Sequence, residues 1–170
     1  MKNLTILKII AALTVTICAL NTNADQYRGD DRGSDKDNHR YQSNSKCNEE
    51  LVVQFYDKVF NQRLDVKKIA MQYLTPDYIQ HNPYVPTGRQ GFIDAIGGYL
   101  PLIPDTRWDI KQVITDGDLV VLHIHVHSLS DNGPGAALVD IFRVSHGKIV
   151  EHWDVSQQIP NQMAHNNGMF

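Results

Sequence analysis

Cysteine is scarce in this sequence, with 2 among 170 residues, and aromatic residues make up only 8% of it. So few cysteines exclude a disulfide-rich scaffold and a cysteine-rich zinc module. An excess of basic charge is also lacking, because 16 basic and 19 acidic residues give a formal net charge of −3. Without a basic surface, nucleic acid is not an expected partner. The remaining composition is that of an ordinary globular protein, and the length predicts a single domain.

Long apolar runs are lacking too, since the main one comprises residues 9–20 and is too short to span a bilayer comfortably. Lys2 and Lys8 precede this run, and small residues follow it up to Ala24. A basic start, a short apolar middle and a small-residue end are typical of a secretory signal peptide. We therefore interpret residues 1–24 as a signal peptide and expect a periplasmic or secreted mature protein with no membrane association.

The next segment, residues 25–47, contains no Leu, Ile, Val, Met, Phe or Trp. A segment of this kind cannot bury enough apolar surface to offset the entropy lost on ordering. We predict a disordered polar linker, followed by one folded domain over residues 48–170.

The first half of this domain has helical periodicity. Apolar residues recur at helical spacing from Leu51 to Phe60, and Asp65 is placed to cap a second helix at about residues 66–74. Thr87 and Gln90 form a capping-box pattern at the start of a third helix.

The second half has strand periodicity, with tight-turn signals at Asp116-Gly117-Asp118 and at His146-Gly147. The predicted strands are residues 108–115, 119–128, 136–145 and 148–155. The expected fold is therefore α+β, with three N-terminal helices packed on one face of a curved antiparallel sheet. A cavity between the helices and the sheet is the expected ligand site.

Three histidines, His123, His125 and His127, alternate along one predicted strand and so share one face of it. This face is solvated or forms a dimer contact, or it holds zinc, or it lines the cavity as an acid/base and hydrogen-bonding set. Against zinc, the first and third histidines lie roughly 13 Å apart along a strand, and no Cys or Glu has a complementary spacing. We therefore predict no metal.

Asp140 favours the cavity interpretation. It lies within an otherwise apolar strand, where a charge is costly unless it is exposed, paired or used. Alternation places it on a face with Phe142 and Val144, and such surroundings make a carboxyl group a candidate for proton transfer near neutral pH. On the next strand, His152 and Asp154 share a face and form either a pair or a polar edge.

Three further polar side chains complete the predicted site. Tyr56 lies on the apolar face of the first helix, so its hydroxyl group needs a partner inside the protein. His81 and Asn82 come directly before a proline, in extended chain predicted to cross the mouth of the cavity.

Together these segments resemble the SnoaL-like polyketide cyclases of the nuclear transport factor 2-like superfamily. The resemblance rests on VVQFY at 52–56, YIQHNP at 78–83 and VDIFRVSHGKIVEHWD at 139–154, and it covers residues 48–170. It implies a conical α+β fold, a homodimer, a deep cavity and chemistry without a cofactor.

The resemblance also assigns roles to matching residues. Asp140 matches the strand Asp that acts as general acid/base in the aldol closure of these cyclases. The sequence is similar to the ketosteroid isomerases as well, with Tyr56 at the oxyanion-hole Tyr and Asn82 at the Asp base. Because an amide cannot abstract a proton, isomerisation by that route would need His81 as the base.

The leading hypothesis is a cofactor-independent lyase or isomerase that acts on a small apolar carbonyl compound through an enol or enolate. Asp140 would move the proton, and His125 or His127 would hydrogen-bond the oxyanion. The expected substrate-binding residues are Tyr56, His81, Asn82, His123, His152 and Asp154. The alternative is a noncatalytic exported module that binds a small molecule, and the face that the histidine strand presents to the cavity distinguishes the two.

Overall fold

A computed structural model describes residues 33–170; the predicted signal peptide and the first part of the predicted linker lie outside the described residues. Helix α1 (Gly33–Tyr56) continues into a π-helical turn (Asp57–Asn61), α2 is Val66–Tyr73, and α3 (Arg89–Tyr99) ends in a 3₁₀ turn (Leu100–Leu102). The strands are β1 (Leu74–Gln80), β2 (Thr106–Asp116), β3 (Leu119–Ser128), β4 (Ala136–Ser145) and β5 (Lys148–Gln158). Within the described residues, no helix has both the length and the hydropathy needed to cross a membrane.

Helix α1 begins earlier than the sequence indicated. Residues 33–47 are helical in the structure rather than part of a disordered linker. This segment has little apolar surface to bury, and polar contacts attach the helix to the hairpin between β2 and β3. The Tyr41 hydroxyl group hydrogen-bonds the Asp116 carboxylate, and Asn48 Nδ2 donates to the Gly117 carbonyl oxygen at 2.9 Å.

Of the two helix caps predicted from the sequence, the cap of α2 forms and the cap of α3 does not. Asp65 caps α2 as expected, accepting the Lys68 backbone N–H at 2.9 Å. The capping box predicted for α3 does not form, because Gly88 is the N-cap and no side chain bonds to the helix start. Thr87 Oγ1 instead contacts the Tyr78 carbonyl oxygen and the Gln80 N–H, which ties the start of α3 to β1.

The sheet has the strand order β1-β5-β4-β3-β2. Strands β2 to β5 form the predicted antiparallel meander. Strand β1 was not predicted, and it pairs with β5 in parallel, so the sheet is mixed rather than wholly antiparallel. Its Thr75-Pro76 pair resembles a helix stop in the sequence, but proline is tolerated on an edge strand such as this one.

The two faces of the sheet differ sharply. The inner face packs on the helices and contributes Leu122, Ile124 and Phe142 to the core, together with Val52 and Phe55 of α1. The outer face carries the other set of alternating side chains. Among the described residues the helices pack on the inner face, so the two sets of alternating side chains on each central strand have separate environments.

Candidate active site

A cavity of about 500 Å³ lies between the helices and the inner face of the sheet. This volume suits a small-molecule ligand. Its apolar walls are largely aromatic and include Phe55, Phe60, Phe92, Trp108 and Phe142. Its polar lining is contributed by Tyr56, Tyr78, Gln80, Asn82, Asp140, His152, Asp154, Ser156 and Gln158.

Asp140 and His152 form a buried pair at the centre of this polar lining. The two side chains lie on adjacent strands, β4 and β5, and are only 4% and 8% exposed. His152 Nε2 is 2.7 Å from Asp140 Oδ1. The second carboxylate oxygen, Asp140 Oδ2, is buried and has no hydrogen-bond partner among the described residues. A buried acceptor left unpaired is costly, so this oxygen keeps the capacity to accept a hydrogen bond or a proton.

Gln80 determines which nitrogen of His152 faces Asp140. The Asn82 backbone N–H donates to Gln80 Oε1 at 2.9 Å, which fixes the orientation of the Gln80 amide. His152 Nδ1 is also 2.9 Å from Gln80 Oε1 and must therefore carry a proton. The hydrogen bond from Nε2 to Asp140 then contains one further proton, held either by the imidazole or by the carboxyl group. The pair can pass this proton between its members without changing its net charge.

Two buried tyrosines add hydroxyl donors to the same region. Burial, and then the negative charge of Asp140, raises the pKa of Tyr56 well above its usual value. Burial likewise raises the pKa of Tyr78, whose hydroxyl group accepts a hydrogen bond from Gln80 Nε2 at 3.1 Å. Both hydroxyl groups keep their protons at physiological pH and can donate them in hydrogen bonds.

Asn82 lines the cavity as predicted but is committed to Asp154. Its Oδ1 accepts the Tyr84 backbone N–H at 2.9 Å, which directs Nδ2 towards Asp154 Oδ2 at 2.6 Å. The Asn82 backbone N–H also starts a continuous chain of hydrogen bonds, which runs through Gln80 and His152 to Asp140. The structure brings Tyr56, Asn82, Asp140, His152 and Asp154 into one cavity.

His81 does not line the cavity, contrary to the prediction. Alternation along the chain turns it to the opposite side from Gln80, where its ring stacks on Trp153 with a centroid distance of 4.8 Å and an interplanar angle of 2°. His81 Nε2 is 2.9 Å from Glu151 Oε1, and this bond is the main cause of the lowered pKa of Glu151. His81 therefore has no position from which to act as a base in the cavity.

The histidines of β3 are a second correction. His123, His125 and His127 lie on the outer face, because their alternating apolar neighbours fill the core on the inner face. The predicted oxyanion contact from His125 or His127 and the predicted substrate contact of His123 are therefore wrong. In the structure His152 is the histidine beside Asp140.

Gln80 is the functional candidate that the sequence reasoning missed. Gln80 directly precedes His81, in the extended segment that was predicted to cross the mouth of the cavity, and the two side chains point to opposite sides of the chain. The signal was the alternation of Tyr78, Gln80 and Asn82, which share one side of an extended chain. Only the pairing of Gln80 with His152 across β1 and β5 reveals its position.

Two groups of side chains in the described part of the chain have the donor atoms for a metal ion. One is Asp140, His152 and Asp154 in the cavity, and the other is Asp109, His125 and His127 on the outer face. In each group the candidate ligand atoms lie within 4.8 Å of one another.

Helices packed on a curved sheet around a polar-lined cavity define the nuclear transport factor 2-like class of α+β proteins. The described fold is shared by a protein assigned as a ketosteroid isomerase from Kribbella flavida, with a TM-score of 0.57 at 16% identity over 73% of this chain and 87% of that chain.

Within that class, residues 52–152 match the sequence model of the SnoaL-like domain, and the chain belongs to this family. A protein assigned as a polyketide cyclase from Acidithiobacillus ferrooxidans has a TM-score of 0.54 at 19% identity, over 65% of this chain and 87% of that chain. A protein assigned as an isomerase of the SnoaL-like family from Agrobacterium tumefaciens has a TM-score of 0.55 at 15% identity, over 63% of this chain and 95% of that chain. At these identities the likeness establishes the fold alone. No curated protein sequence matches this chain.

Proposed function

We propose that this protein is a cofactor-independent cyclase or isomerase that acts on a small apolar carbonyl compound through an enolate. Membership of the SnoaL-like family supports a cyclase or isomerase at the level of the family. The observation that carries the proposal is the buried Asp140–His152 pair, which holds a transferable proton beside an unpaired carboxylate oxygen in an aromatic cavity.

The reaction starts with Asp140 as a carboxylate and His152 as an imidazolium ion. Asp140 Oδ2 takes the proton from the carbon next to the substrate carbonyl, and the electron pair of that C–H bond moves to the carbonyl oxygen. The Tyr56 hydroxyl group donates a hydrogen bond to this oxygen as its negative charge develops. In isomerisation Asp140 returns the proton to another carbon. In cyclisation the enolate carbon attacks a second carbonyl group, and Asp140 protonates the resulting alkoxide.

The cavity supports a substrate with one polar end and an apolar body. Polar side chains follow β5 from His152 through Asp154 to Ser156, whereas the facing walls are largely aromatic. A molecule with its carbonyl group near Asp140 would bury its hydrocarbon portion against Phe92 and Trp108. At roughly 25 cal/mol per Å², such burial supplies much of the binding energy for a small apolar ligand.

The alternative of a noncatalytic binding module is favoured by one observation, the outward orientation of the histidines on β3. A test of function therefore has to separate binding from proton transfer. Hydrogen–deuterium exchange at the α-carbon does so, because it needs only enolate formation and no knowledge of the final product.

Exchange at the α-carbon should occur when the protein is mixed with a panel of apolar ketones and 1,3-dicarbonyl compounds in D₂O. The measurement is the rate at which the α-proton signal is lost by NMR, in excess of the rate in buffer alone. Asp140→Asn should abolish this excess, and Asp118→Asn is its matched control because Asp118 is an exposed carboxylate outside the cavity. We expect exchange with the native and control proteins, and the same rate after dialysis against EDTA. Chemical shift changes without exchange would support the binding module instead, and loss of exchange on chelation would contradict cofactor independence.

We also propose that the mature protein is exported and forms a homodimer. Export is supported by the basic, apolar and small-residue pattern of residues 1–24. Dimerisation is supported by apolar side chains exposed on the outer face of the sheet, such as Ile114 at 60% and Val155 at 69%.

Cleavage near Asp25 should follow expression of the full-length gene in a bacterial host. The expected intact mass of the periplasmic or secreted protein is that of a chain starting near Asp25, and a variant lacking residues 1–24 should stay in the cytoplasm. An uncleaved full-length protein in the cytoplasmic fraction would contradict the signal-peptide interpretation.

A further inference from the structure

We propose that the outer face of the sheet carries a binding site for a divalent transition-metal ion, formed by Asp109 of β2 and by His125 and His127 of β3. One candidate ligand atom from each residue lies within 4.8 Å of the other two. The site is on the opposite face from Asp140 and does not depend on the proposed function.

The third ligand comes from the neighbouring strand. Along β3 the first and third histidines are too far apart to share an ion, and the sequence offers no Cys or Glu at a complementary spacing, but an aspartate on β2 lies beside two of the histidines. In the antiparallel register, Asp109 lies directly opposite His125. Asp109 Oδ2 is 3.1 Å from His127 Nε2, and the centroids of the His125 and His127 rings are 4.6 Å apart. Two strands thus supply two imidazoles and one carboxylate at one place.

Backbone carbonyl groups orient both histidines for this purpose. His127 Nδ1 is 3.2 Å from the Ser128 carbonyl oxygen, which can only accept, so Nδ1 donates and Nε2 is the nitrogen that faces Asp109. His125 Nε2 is 2.8 Å from the Pro134 carbonyl oxygen and donates to it for the same reason. A histidine that binds a metal almost always donates its other ring N–H in this way.

The loop that orients His125 is built for a close approach to β3. Gly135 has a φ of +79°, and a Cβ at this position would lie 2.1 Å from the Val126 carbonyl oxygen. Only glycine fits there, and it allows the preceding Pro134 carbonyl group to reach His125.

The carboxylate is also held in place. Arg107 Nε donates to Asp109 Oδ1 at 3.1 Å and leaves Oδ2 on the side of the histidines. The Lys111 ammonium group lies 3.7 Å from Asp109 Oδ2. Because the lysine side chain is long and flexible, this group can move away when an ion binds. Two imidazoles and one carboxylate suit Zn²⁺ and its first-row neighbours rather than Mg²⁺ or Ca²⁺, and three protein ligands leave a position for water.

Calorimetric titration of Zn²⁺ into untagged, chelator-treated full-length protein tests this site, and the absorption spectrum of Co²⁺ added in its place reports the ligand geometry. We expect one saturable ion for each chain. His127→Gln and Asp109→Asn should each weaken binding by about 100-fold or more, because each removes a direct ligand. His123→Gln is the matched control, since His123 lies on the same face of β3 outside the cluster, and it should bind normally.

Two further results decide the location. Asp140→Asn should leave Zn²⁺ binding unchanged, whereas loss of binding in this variant would place the ion in the cavity and overturn the proposal. Absence of saturable binding, or normal binding by His127→Gln, would overturn it as well. Circular dichroism of every variant confirms that the fold is retained before the titrations are compared.

Discussion

Replacing Asp140 with asparagine should lower kcat by about 10²- to 10⁴-fold, the usual contribution of a positioned acid or base. The amide is nearly isosteric with the carboxyl group and can still hydrogen-bond His152, but it cannot accept the substrate proton. The fold should therefore persist, and KM should stay within several-fold of the native value. The measurement is steady-state kinetics on any compound that undergoes α-carbon exchange, together with a thermal melt.

The exposed Asp118→Asn variant provides the control, because it makes the same chemical change outside the cavity. A structural role for Asp140 would give a different pattern. In that case the asparagine variant would have a lower Tm, while its folded fraction turned over at the native rate. That pattern would contradict the proposed mechanism and favour the binding module.

Replacing His152 with glutamine should cause a loss of similar size, about 10²- to 10⁴-fold in kcat, because Asp140 then lacks the partner that holds the shared proton. The double variant, Asp140→Asn with His152→Gln, should be no slower than the slower single variant, since the two residues act as one unit. Kinetics of the complete double-mutant cycle measure this coupling.

His165→Gln serves as the histidine control, because His165 is exposed near the C-terminus. Two independent losses that multiply in the double variant would show that His152 acts separately from Asp140. A shift in pH optimum without loss of kcat would also contradict the shared-proton mechanism.

The meander could be predicted because its strands are long and their alternation is regular. The turn at His146-Gly147 was also predicted, and in the structure both residues have a positive φ, as a type I′ hairpin turn requires. Strand β1 could not be predicted in the same way. It is short, contains Pro76, and gains its order from pairing with β5, which no local pattern reveals.

The site was predictable to the extent that alternation decides which residues share a face. Alternation placed His152 and Asp154 on one face of their strand and Asp140 on the same face as Phe142, and the structure places all three polar side chains in the cavity. Their catalytic roles stay predictions. Alternation alone did not decide which side of β3 faces inward. In the structure the apolar residues Leu122 and Ile124 are buried, so the histidines on the opposite side of the strand face outward.

The parallel pairing of β1 with β5 also determines when during folding the site is completed. Gln80 and His152 are separated by 72 positions in the sequence, so their contact closes one of the long loops of the domain. Contacts of this range are slow to form, because the entropy of loop closure is lost before the contact stabilises anything. A nascent chain that has emerged only as far as β4 contains Asp140 but lacks both His152 and the strand that brings Gln80 beside it. Catalytic competence should therefore arise late in refolding, after the meander has formed, and a fragment that ends before β5 should never acquire it.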